Sequence, residues 1–567
     1  MRRTVAVFVL LTIILSLSAT AAPSDGQSPV AAESARLSNE PTEPTNETGE
    51  STNGTGEFTN ATAEPTITAV YPNPIADGDA GEFVTLTVPN GTDLGRYRLG
   101  DDEGTTDLPN RTAAGRVVLA VEPSAVPDSV SGQIVACPDC PALANTGEPL
   151  TLSGPNRTLD TIEFTDAPEG EILAPATDRR WRPLGATDFE PVVGEADRVT
   201  AFALPDSPGV ARGILADADD RILLAGYTLT DERVVDRLLA ARQRGVEVAV
   251  LVDGSPVGGL TTRSATALDR LAAANVSVQV VDGPAARYRF HHPKYAVVDE
   301  QAVVLTENWK PAGVGGTSSR GWGAVTDSPA VVAGLERTFR ADSGWRDARS
   351  WGRFRENESF EPAAPTTGRY PSRIDSESVP VERVELLVAP DNAAGRVEGL
   401  LGNATESIRV VQVSIGGPED PLLRESIEAA RRGVDVEILL SNTWYTREEN
   451  RELVESIRAT ADREELPLSI RLAEAGGRYE KIHAKGVIVD GDTVVLGSLN
   501  WNANAYHENR EVALVLYGEQ AGAYFGDVFE RDWRGGITLV PVGLLAVVAL
   551  ALSLAGIVAR RISFDPE

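Results

Sequence analysis

Two stretches of this chain repeat each other, and that repetition restricts the possible folds more than any other feature of the sequence. The run AARQRGVEVAVLV at 240–252 matches EAARRGVDVEILL at 428–440 along its length. Around each copy, stretches with helical periodicity alternate with short apolar runs, a pattern typical of α/β units that share a mostly parallel sheet. The sequence therefore predicts two tandem α/β domains, at 195–350 and 381–534, joined by a linker at 351–380 that is rich in Pro, Ser, Arg and Glu.

Each repeat ends in the same group of polar residues. The first has His292, Lys294 and Asp299, and the second has His483, Lys485 and Asp490 at the same spacing. The segments KYAVVD and KGVIVD are strand-like, and residues two apart in a strand point to one face, so the histidine and lysine of each copy should project together. We interpret the two aspartates, which end these strands, as orienting or structural members of the motif.

The chemistry of these residue types indicates a site that acts on phosphate. An imidazole can attack phosphorus or donate a proton, and an ammonium group neutralises the charge on phosphoryl oxygens. Asn308 and Asn500 follow the next strand of each repeat and would add amide donors to the same oxygens. Lysine is scarce in this chain, and all of it lies close to the two motifs, at Lys294, Lys310, Lys481 and Lys485.

The histidine count bears on cofactors. The chain has four histidines, so only His291 and His507 remain beside the motif pair, too few for an imidazole metal cluster. This count agrees with a site that uses neither a metal nor another cofactor. We interpret His291 as a packing residue next to the motif, while His507 either lines the entrance of the site or is a solvated loop residue.

The pattern HxKxxxxD followed by GSxN resembles the signature of the phospholipase D superfamily, and the resemblance covers about residues 195–534. The second repeat fits throughout, with Gly497, Ser498 and Asn500 in place. The first repeat has Thr306-Glu307-Asn308 there, one residue shorter, so the serine donor is missing or replaced by Thr306. The resemblance implies that both repeats build one pseudo-twofold active site with a histidine on each side of the phosphorus.

The resemblance also implies a reaction through a covalent phosphohistidine. One histidine attacks, and the other protonates the leaving alkoxide and then activates water for hydrolysis or an alcohol for transfer. Family members often hold the nucleophilic histidine with an acidic residue on the following strand, and Glu511 occupies that place in the second repeat. The corresponding run SSRGWGAV of the first repeat has no carboxylate, so we hypothesise that His483 is the nucleophile and His292 the general acid.

The part of the chain before residue 195 offers no candidate catalytic group. Residues 1–22 combine two arginines, an apolar run and a small-residue cleavage site, which predicts a signal peptide. Residues 23–65, rich in Ser, Thr, Glu and Pro, predict a disordered stalk. Residues 66–194 contain short alternating runs that predict an immunoglobulin-like β-sandwich and a connector, and they resemble a lamin-tail domain. Cys137 and Cys140 are expected to form a local disulfide.

The end of the chain predicts an attachment to the membrane. The uncharged segment 537–558 is long enough to span a bilayer, and the arginines after it place a tail at 559–567 in the cytoplasm. These features predict a single-pass protein of the cell membrane with a large extracellular N-terminal part. The predicted fold class is therefore multidomain: a β-sandwich, two tandem α/β domains and a C-terminal transmembrane helix.

The charge and the motifs leave three functions open. A net charge of -31 with so little lysine is typical of proteins from extreme halophiles and argues against nucleic acid as a partner. The first candidate is a phospholipase D-type enzyme that hydrolyses or transfers the head groups of membrane phospholipids. The second is an extracellular, metal-independent endonuclease, and the third is a non-catalytic surface protein for adhesion. Five aromatic residues expected near the site could dock on a lipid interface, stack on bases or lie buried: Trp309, Trp322, Trp444, Tyr445 and Trp501.

Overall fold

A computed structural model describes residues 64–127, 130–174, 181–283, 285–356, 358–363, 368–535 and 553. The predicted signal peptide and cytoplasmic tail, and the predicted stalk apart from its last two residues, lie outside the described residues.

The first part of the described chain folds mainly into β-strands, with two short 3-10 helices at Asp77–Asp79 and Leu94–Arg96. The bounds of the strands are Thr66–Tyr71 (β1), Phe83–Asp93 (β2), Arg98–Gly100 (β3), Thr105–Asp107 (β4), Thr112–Ala120 (β5), Gln133–Ala136 (β6), Gly147–Ser153 (β7), Thr158–Thr165 (β8), Glu171–Leu173 (β9) and Trp181–Pro183 (β10). The strands form two sheets, in the orders β10-β9-β1-β2-β5-β6 and β4-β3-β7-β8. Apolar side chains of both sheets, such as Leu86 and Leu150, share one core, so this part is a two-layered β-domain. A disulfide joins Cys137 to Cys140.

The first α/β domain follows. Its elements are Val192–Glu195 (β11), Arg198–Leu204 (β12), Gly209–Ala216 (α1), Arg221–Gly226 (β13), Glu232–Arg244 (α2), Glu247–Asp253 (β14), Thr262–Ala273 (α3), Ser277–Val281 (β15), Lys294–Val298 (β16), Gln301–Leu305 (β17), Ser319–Thr326 (β18), Pro329–Ser343 (α4), Ala348–Ser350 (β19), Trp351–Arg355 (α5) and Glu377–Pro380 (β20).

The second α/β domain repeats this order. Its elements are Arg383–Ala389 (β21), Ala393–Gly402 (α6), Ser407–Gln412 (β22), Pro421–Arg431 (α7), Asp435–Leu440 (β23), Arg447–Glu464 (α8), Leu468–Leu472 (β24), Lys481–Ile482 (β25), Gly486–Val489 (β26), Thr493–Gly497 (β27), Ala503–His507 (α9), Glu511–Tyr517 (β28) and Glu519–Trp533 (α10).

The sheets of the two domains have equivalent strand orders. The first runs β15-β14-β13-β16-β17-β18-β12 and the second β24-β23-β22-β26-β27-β28-β21, with three parallel strands at one end of each. The outermost strands are exchanged, because β11 pairs with β21 in the second sheet and β20 pairs with β12 in the first. The residues predicted as a linker therefore include α5 and β20, which belong to the first domain.

A hydrophobic core lies between the two sheets. It unites side chains of the first sheet, such as Tyr295 and Val304, with side chains of the second, such as Ile488 and Leu496. Two further cores lie between the outer face of each sheet and its helices. This packing of sheet against sheet brings the corresponding edges of the two repeats together, which is the arrangement that a shared active site requires.

The predicted C-terminal transmembrane helix is the part of the fold class that is wrong. Among the residues that the structure describes, no helix is both long enough and apolar enough to cross a bilayer. The last long helix in them, α10, carries charges such as Asp527, Glu530 and Asp532 along its length. The segment 537–558 itself lies outside the described residues, apart from Ser553.

Candidate active site

The two motif strands carry their lysines to the same edge of each sheet. Lys294 begins β16 and pairs with Gly226, the last residue of β13. Lys485 directly precedes β26, whose first residue pairs with Val411 near the end of β22. Both motifs therefore lie at the carboxyl ends of the parallel strands, the edge at which open α/β sheets bind their ligands.

The two motif aspartates lie at the opposite ends of these strands. Asp299 lies five residue steps along the strand from Lys294, or roughly 17 Å away. The Asp299 carboxylate accepts hydrogen bonds from the backbone N–H groups of residues 219–221, and Asp490 accepts them from residues 405–407. Both aspartates adopt a positive φ, 51° and 50°, which Asp tolerates better than most residues. These contacts fasten a turn at the far end of each strand, and they suit the orienting or structural role that we expect for the two aspartates.

We expect Asp490→Ala to destabilise the fold and to leave the catalytic rate nearly unchanged. Burial alone would raise the pKa of Asp490, but its backbone N–H donors lower it, so the ionised form is the one that stabilises the turn. Loss of such a carboxylate acceptor should cost about 1–2 kcal/mol of unfolding free energy. Chemical denaturation measures this cost. The difference in unfolding free energy between wild type and Asp490→Ala should shrink as the pH falls through the pKa of Asp490. A collapse of turnover without a loss of stability would contradict the structural role of Asp490.

His292 is held by a carboxylate of the other domain. Its Nδ1 donates to Glu511, at 2.8 Å from Oε2 and 2.9 Å from Oε1. Its ring lies edge-on to Tyr227, with centroids 4.6 Å apart, and its backbone N–H donates to the carbonyl of Arg510. With Nδ1 bound in this way, Nε2 is the nitrogen left for chemistry.

This contact corrects the reasoning about Glu511. We expected Glu511 to support His483 of its own repeat, but the sheets meet so that the chain before β16 pairs with the chain before β28, through a bridge between His291 and Arg510. That pairing places Glu511 beside the first histidine. The premise that made His483 the nucleophile is therefore wrong.

His483 also has a carboxylate partner, which the sequence interpretation missed. Its Nδ1 lies 3.3 Å from Oε2 of Glu307, and its backbone N–H donates to the carbonyl of Arg320, as His292 does to Arg510. Nζ of Lys485 lies 3.2 Å from Nδ1 of His483. Each motif histidine is thus fixed by a carboxylate and a backbone carbonyl from the opposite domain.

The Glu307 side chain occupies space that is free because residue 321 is a glycine. The strand pairs Leu305 with Gly323 and Gly497 with Ala513 place Gly321 where the second domain has Glu511. A Cβ added to Gly321 would lie 2.2 Å from Cγ of Glu307. The carboxylate of the first domain therefore comes from the loop after β17 instead of from β18.

The same register settles the serine question. Thr306 accepts the backbone N–H of Trp322 at 2.9 Å, just as Ser498 accepts that of Val512 at 2.9 Å. Thr306 therefore replaces the serine, and the two segments are equal in length, contrary to the shorter segment that we inferred.

The two asparagines end these loops. Asn308 is buried, and its Oδ1 has no hydrogen-bond partner within the described chain, while Asn500 is half-buried.

Burial changes the pKa values of the charged side chains in the site. Lys294 and Lys485 are buried, and burial lowers the pKa of Lys485 to about 8. Burial raises the pKa of Glu307 to about 8, although all four lysines of the chain pull it down. Burial lowers the pKa of His292 to about 4 against the attraction of Glu511. A bound phosphodiester, which is negatively charged, would compensate for the positive charge of the lysines.

Two buried arginines join the domains on either side of the site. Arg510 forms ion pairs with Asp342 of the first domain at 2.9 Å and Asp391 of the second at 3.5 Å. Arg320 forms them with Asp532 of the second domain at 2.8 Å and Asp206 of the first at 2.6 Å. The available sequence signal is an arginine directly before Gly321 in one repeat and before Glu511 in the other.

The other histidines and the five aromatic residues that we expected near the site differ in their burial. Nε2 of His291 lies 3.2 Å from Asp342, in agreement with a packing role, and His507 is exposed in α9. Trp309, Trp322 and Trp501 are buried, whereas Trp444 and Tyr445 are exposed. Among the described residues no group of three or more His, Cys, Asp and Glu side chains is arranged to hold a metal ion.

The chain is similar to known proteins over these two domains. A family model described as "Cardiolipin synthase, PLD-like domain" matches residues 212–343 and 397–533. A dog (Canis lupus familiaris) protein named mitochondrial cardiolipin hydrolase is 40% identical over 53 residues, 9% of this chain and 21% of its own length. A Xenopus tropicalis protein of that name is 26% identical over 144 residues, 25% of this chain and 62% of its own length. The chain thus matches less than two thirds of either relative.

A solved structure is also similar. The phosphatidylserine synthase of Haemophilus influenzae is 14% identical and matches 59% of this chain and 86% of its own, with a TM-score of 0.46.

The predicted location is wrong as well. We expected a single-pass protein of the cell membrane with an extracellular N-terminal part. Within the described ranges no helix can span a bilayer, and the relatives above are named as mitochondrial proteins.

The identity of the domains follows from three observations that agree. The two repeats carry equivalent strand orders, their two histidine–lysine motifs meet at one site, and the family model matches each repeat separately. Residues 212–343 and 397–533 are therefore two tandem domains that each match the PLD-like domain family.

Proposed function

We propose that this enzyme hydrolyses or transfers the phosphodiester head group of a phospholipid through a phosphohistidine intermediate. The observation that carries the proposal is the pair of histidines, each with Nδ1 at a carboxylate of the opposite domain, beside two buried lysines. In-line displacement at phosphorus needs one group to attack and another to protonate the leaving oxygen on the far side. The site supplies two such groups.

His292 is the better nucleophile of the two. Glu511 holds its Nδ1 proton with both carboxylate oxygens, so the Nε2 lone pair faces outward, and the carboxylate stabilises the cationic phosphohistidine that forms. Nε2 attacks phosphorus, the bond to the leaving alkoxide breaks, and Lys294 and Lys485 offset the charge on the phosphoryl oxygens. This assignment reverses our earlier hypothesis, by the same reasoning applied to the observed contact.

His483 is then the general acid and later the general base. Burial lowers the pKa of His483 and raises that of Glu307, and the two side chains lie 3.3 Å apart, so together they hold one proton near neutral pH. His483 passes that proton to the leaving alkoxide. It next removes a proton from water or an alcohol, whose oxygen attacks phosphorus and breaks the phosphorus–nitrogen bond.

The decisive assay compares substrate classes on one purified protein. The chain is incubated with phosphatidylglycerol vesicles, plasmid DNA and bis(p-nitrophenyl) phosphate, with chelator present and at several salt concentrations because of its charge of -31. We expect release of the lipid head group, and none by His483→Ala. Cleavage of DNA alone would favour the endonuclease function, and no turnover of any substrate would favour a binding role.

The pH profile should be bell-shaped. His292 must be neutral to attack, and its pKa is about 4. Lys485 must be protonated to bind the phosphate, and Glu307 must hold the shared proton; both have a pKa of about 8. For a diester with an alkoxide leaving group, kcat/KM should therefore rise with pH through about 4 and fall above about 8. A profile that still increases between pH 8 and 10 would contradict these roles.

We further propose that the β-domain is a lamin-tail-like module with a binding or spacer role. Its two-layered arrangement of strands supports this proposal, and deletion of residues 66–183 should leave turnover of a small soluble diester intact.

A further inference from the structure

Large hydrophobic side chains are exposed at few places in the described residues. They are Val193, Val257, Trp444 and Tyr445, with exposed fractions of 57%, 81%, 83% and 43%. Three of the four lie on two loops, residues 254–261 and 441–446. These loops follow β14 and β23, which occupy equivalent positions in the two sheets. The pseudo-twofold arrangement thus places an apolar loop tip on each half of the enzyme.

The first tip is linked to a motif histidine through one side chain, and the second tip contacts a lysine that lies two residues before the other motif histidine. The backbone N–H of Val257 donates to the Tyr227 hydroxyl at 2.5 Å, and the Tyr227 ring contacts that of His292. On the other half, the Tyr445 ring lies 5.3 Å from Nζ of Lys481, which precedes His483 by two residues. The two tips therefore flank the site where the phosphodiester is expected.

The composition of the tips indicates the chemistry of what they contact. Trp444 and Tyr445 touch edge to face, with centroids 5.5 Å apart, and such amphipathic rings favour the boundary between lipid and water. Lys481 beside Tyr445 would lie at the level of anionic head groups. Val257 is aliphatic, so it adds apolar contact but offers no stacking surface for a base, and single-stranded nucleic acids are bound by basic grooves with stacking rings.

We propose that the loops 254–261 and 441–446 form a bilayer-docking surface, whose apolar tips insert between phospholipid head groups and seat the active site over its substrate. This inference rests on the proposed lipid function and deepens it, because it says how the phosphodiester is reached. The occupant is the surface of an anionic phospholipid bilayer, and the contact is peripheral. Its strength should scale with the apolar area that the tips bury.

The test separates docking from chemistry. Vesicle flotation, with phosphatidylglycerol and phosphatidylcholine, compares the wild type with Trp444→Ser/Tyr445→Ser and with Val257→Ser. Turnover by each protein is then measured on those vesicles and on bis(p-nitrophenyl) phosphate. We expect the double variant to lose vesicle binding and vesicle turnover by about tenfold or more, and Val257→Ser to lose less. Turnover of the soluble diester should stay within about twofold of wild type. Val193→Ser is the matched control, because Val193 is also an exposed apolar residue but lies on the edge strand β11.

Each result decides the proposal. Wild-type flotation of the double variant, or an equal loss in Val193→Ser, would overturn it. A loss of binding to single-stranded oligonucleotides with unchanged flotation would overturn it in favour of a base-stacking surface. If the wild type turned over no diester, the proposed function would fail. Flotation, and its dependence on Trp444 and Tyr445, would still test the docking surface independently.

Discussion

His292→Ala should abolish turnover of every diester that the enzyme accepts, by about 10³-fold or more, because it removes the atom that bonds to phosphorus. His483→Ala should behave differently on a substrate whose leaving group needs no proton. With bis(p-nitrophenyl) phosphate, it should release one equivalent of p-nitrophenolate rapidly and then stop, since the group that activates water is gone. Rapid-quench kinetics measures the burst. Mass spectrometry of peptides that are digested without exposure to acid locates the phosphoryl group.

The phosphoryl group should be found on His292 in the His483→Ala protein. Exposed His507 supplies a matched control, because it is a histidine outside the motif pair, and His507→Ala should retain turnover. A phosphoryl group on His483 that persists in His292→Ala would reverse the roles of the two residues. Circular dichroism would show whether each variant remains folded.

Glu307→Gln should lower kcat by about 10²-fold while changing KM little, since the amide cannot share a proton with His483. The alkaline limb of the pH profile should also lose its contribution from Glu307, whose pKa is about 8. A residue with only a packing role would not move that limb. Steady-state kinetics with an alkoxide leaving group, measured from pH 5 to 10, reports both effects.

Transfer of the carboxylate provides the sharper test. In Glu307→Ala/Gly321→Glu the carboxylate moves to the strand position that Glu511 holds in the second domain. The new side chain has space there, because the atoms within 3.0 Å of a Cβ at Gly321 all belong to Glu307. We expect this double variant to recover to within about tenfold of wild type, well above Glu307→Ala alone. Wild-type kcat in Glu307→Gln, or no recovery in a folded double variant, would contradict the role of Glu307.

Much of this architecture could be predicted from the sequence, because it depends on periodicities that are local. Helix and strand periods give the α/β units, and the spacing from His292 to Lys294 and from His483 to Lys485 fixes which residues share a face. The family resemblance then supplied the single pseudo-twofold site. The orienting or structural role of the two aspartates stays a prediction, which Asp490→Ala tests.

The partners of the histidines could not be predicted in this way. Glu511 lies 219 positions from His292 but only 28 from His483, so proximity along the chain favoured the wrong pair. Only the crossing of the two sheets reveals the true one. Glu307 was missed for a different reason, because its carboxylate reaches the site from a loop position where the second repeat has Leu499.

The predictions of the membrane span and of the location rested on the apolar segment 537–558, which lies outside the described residues apart from Ser553. Hydropathy measures composition over a window, whereas the folded chain offers, in the ranges described, no helix with the required length and apolarity.

The unequal origin of the two carboxylates has an evolutionary consequence. Two identical subunits related by a twofold axis cannot relocate a residue in one active-site half without relocating it in the other. Here one half uses Glu511 from a strand and the other uses Glu307 from a loop, beside Gly321. Such divergence requires that each half be encoded by its own stretch of sequence, and in this chain the two stretches follow each other. Because the two halves are encoded separately within one chain, each histidine can acquire its own partner, as the roles proposed for His292 and His483 require.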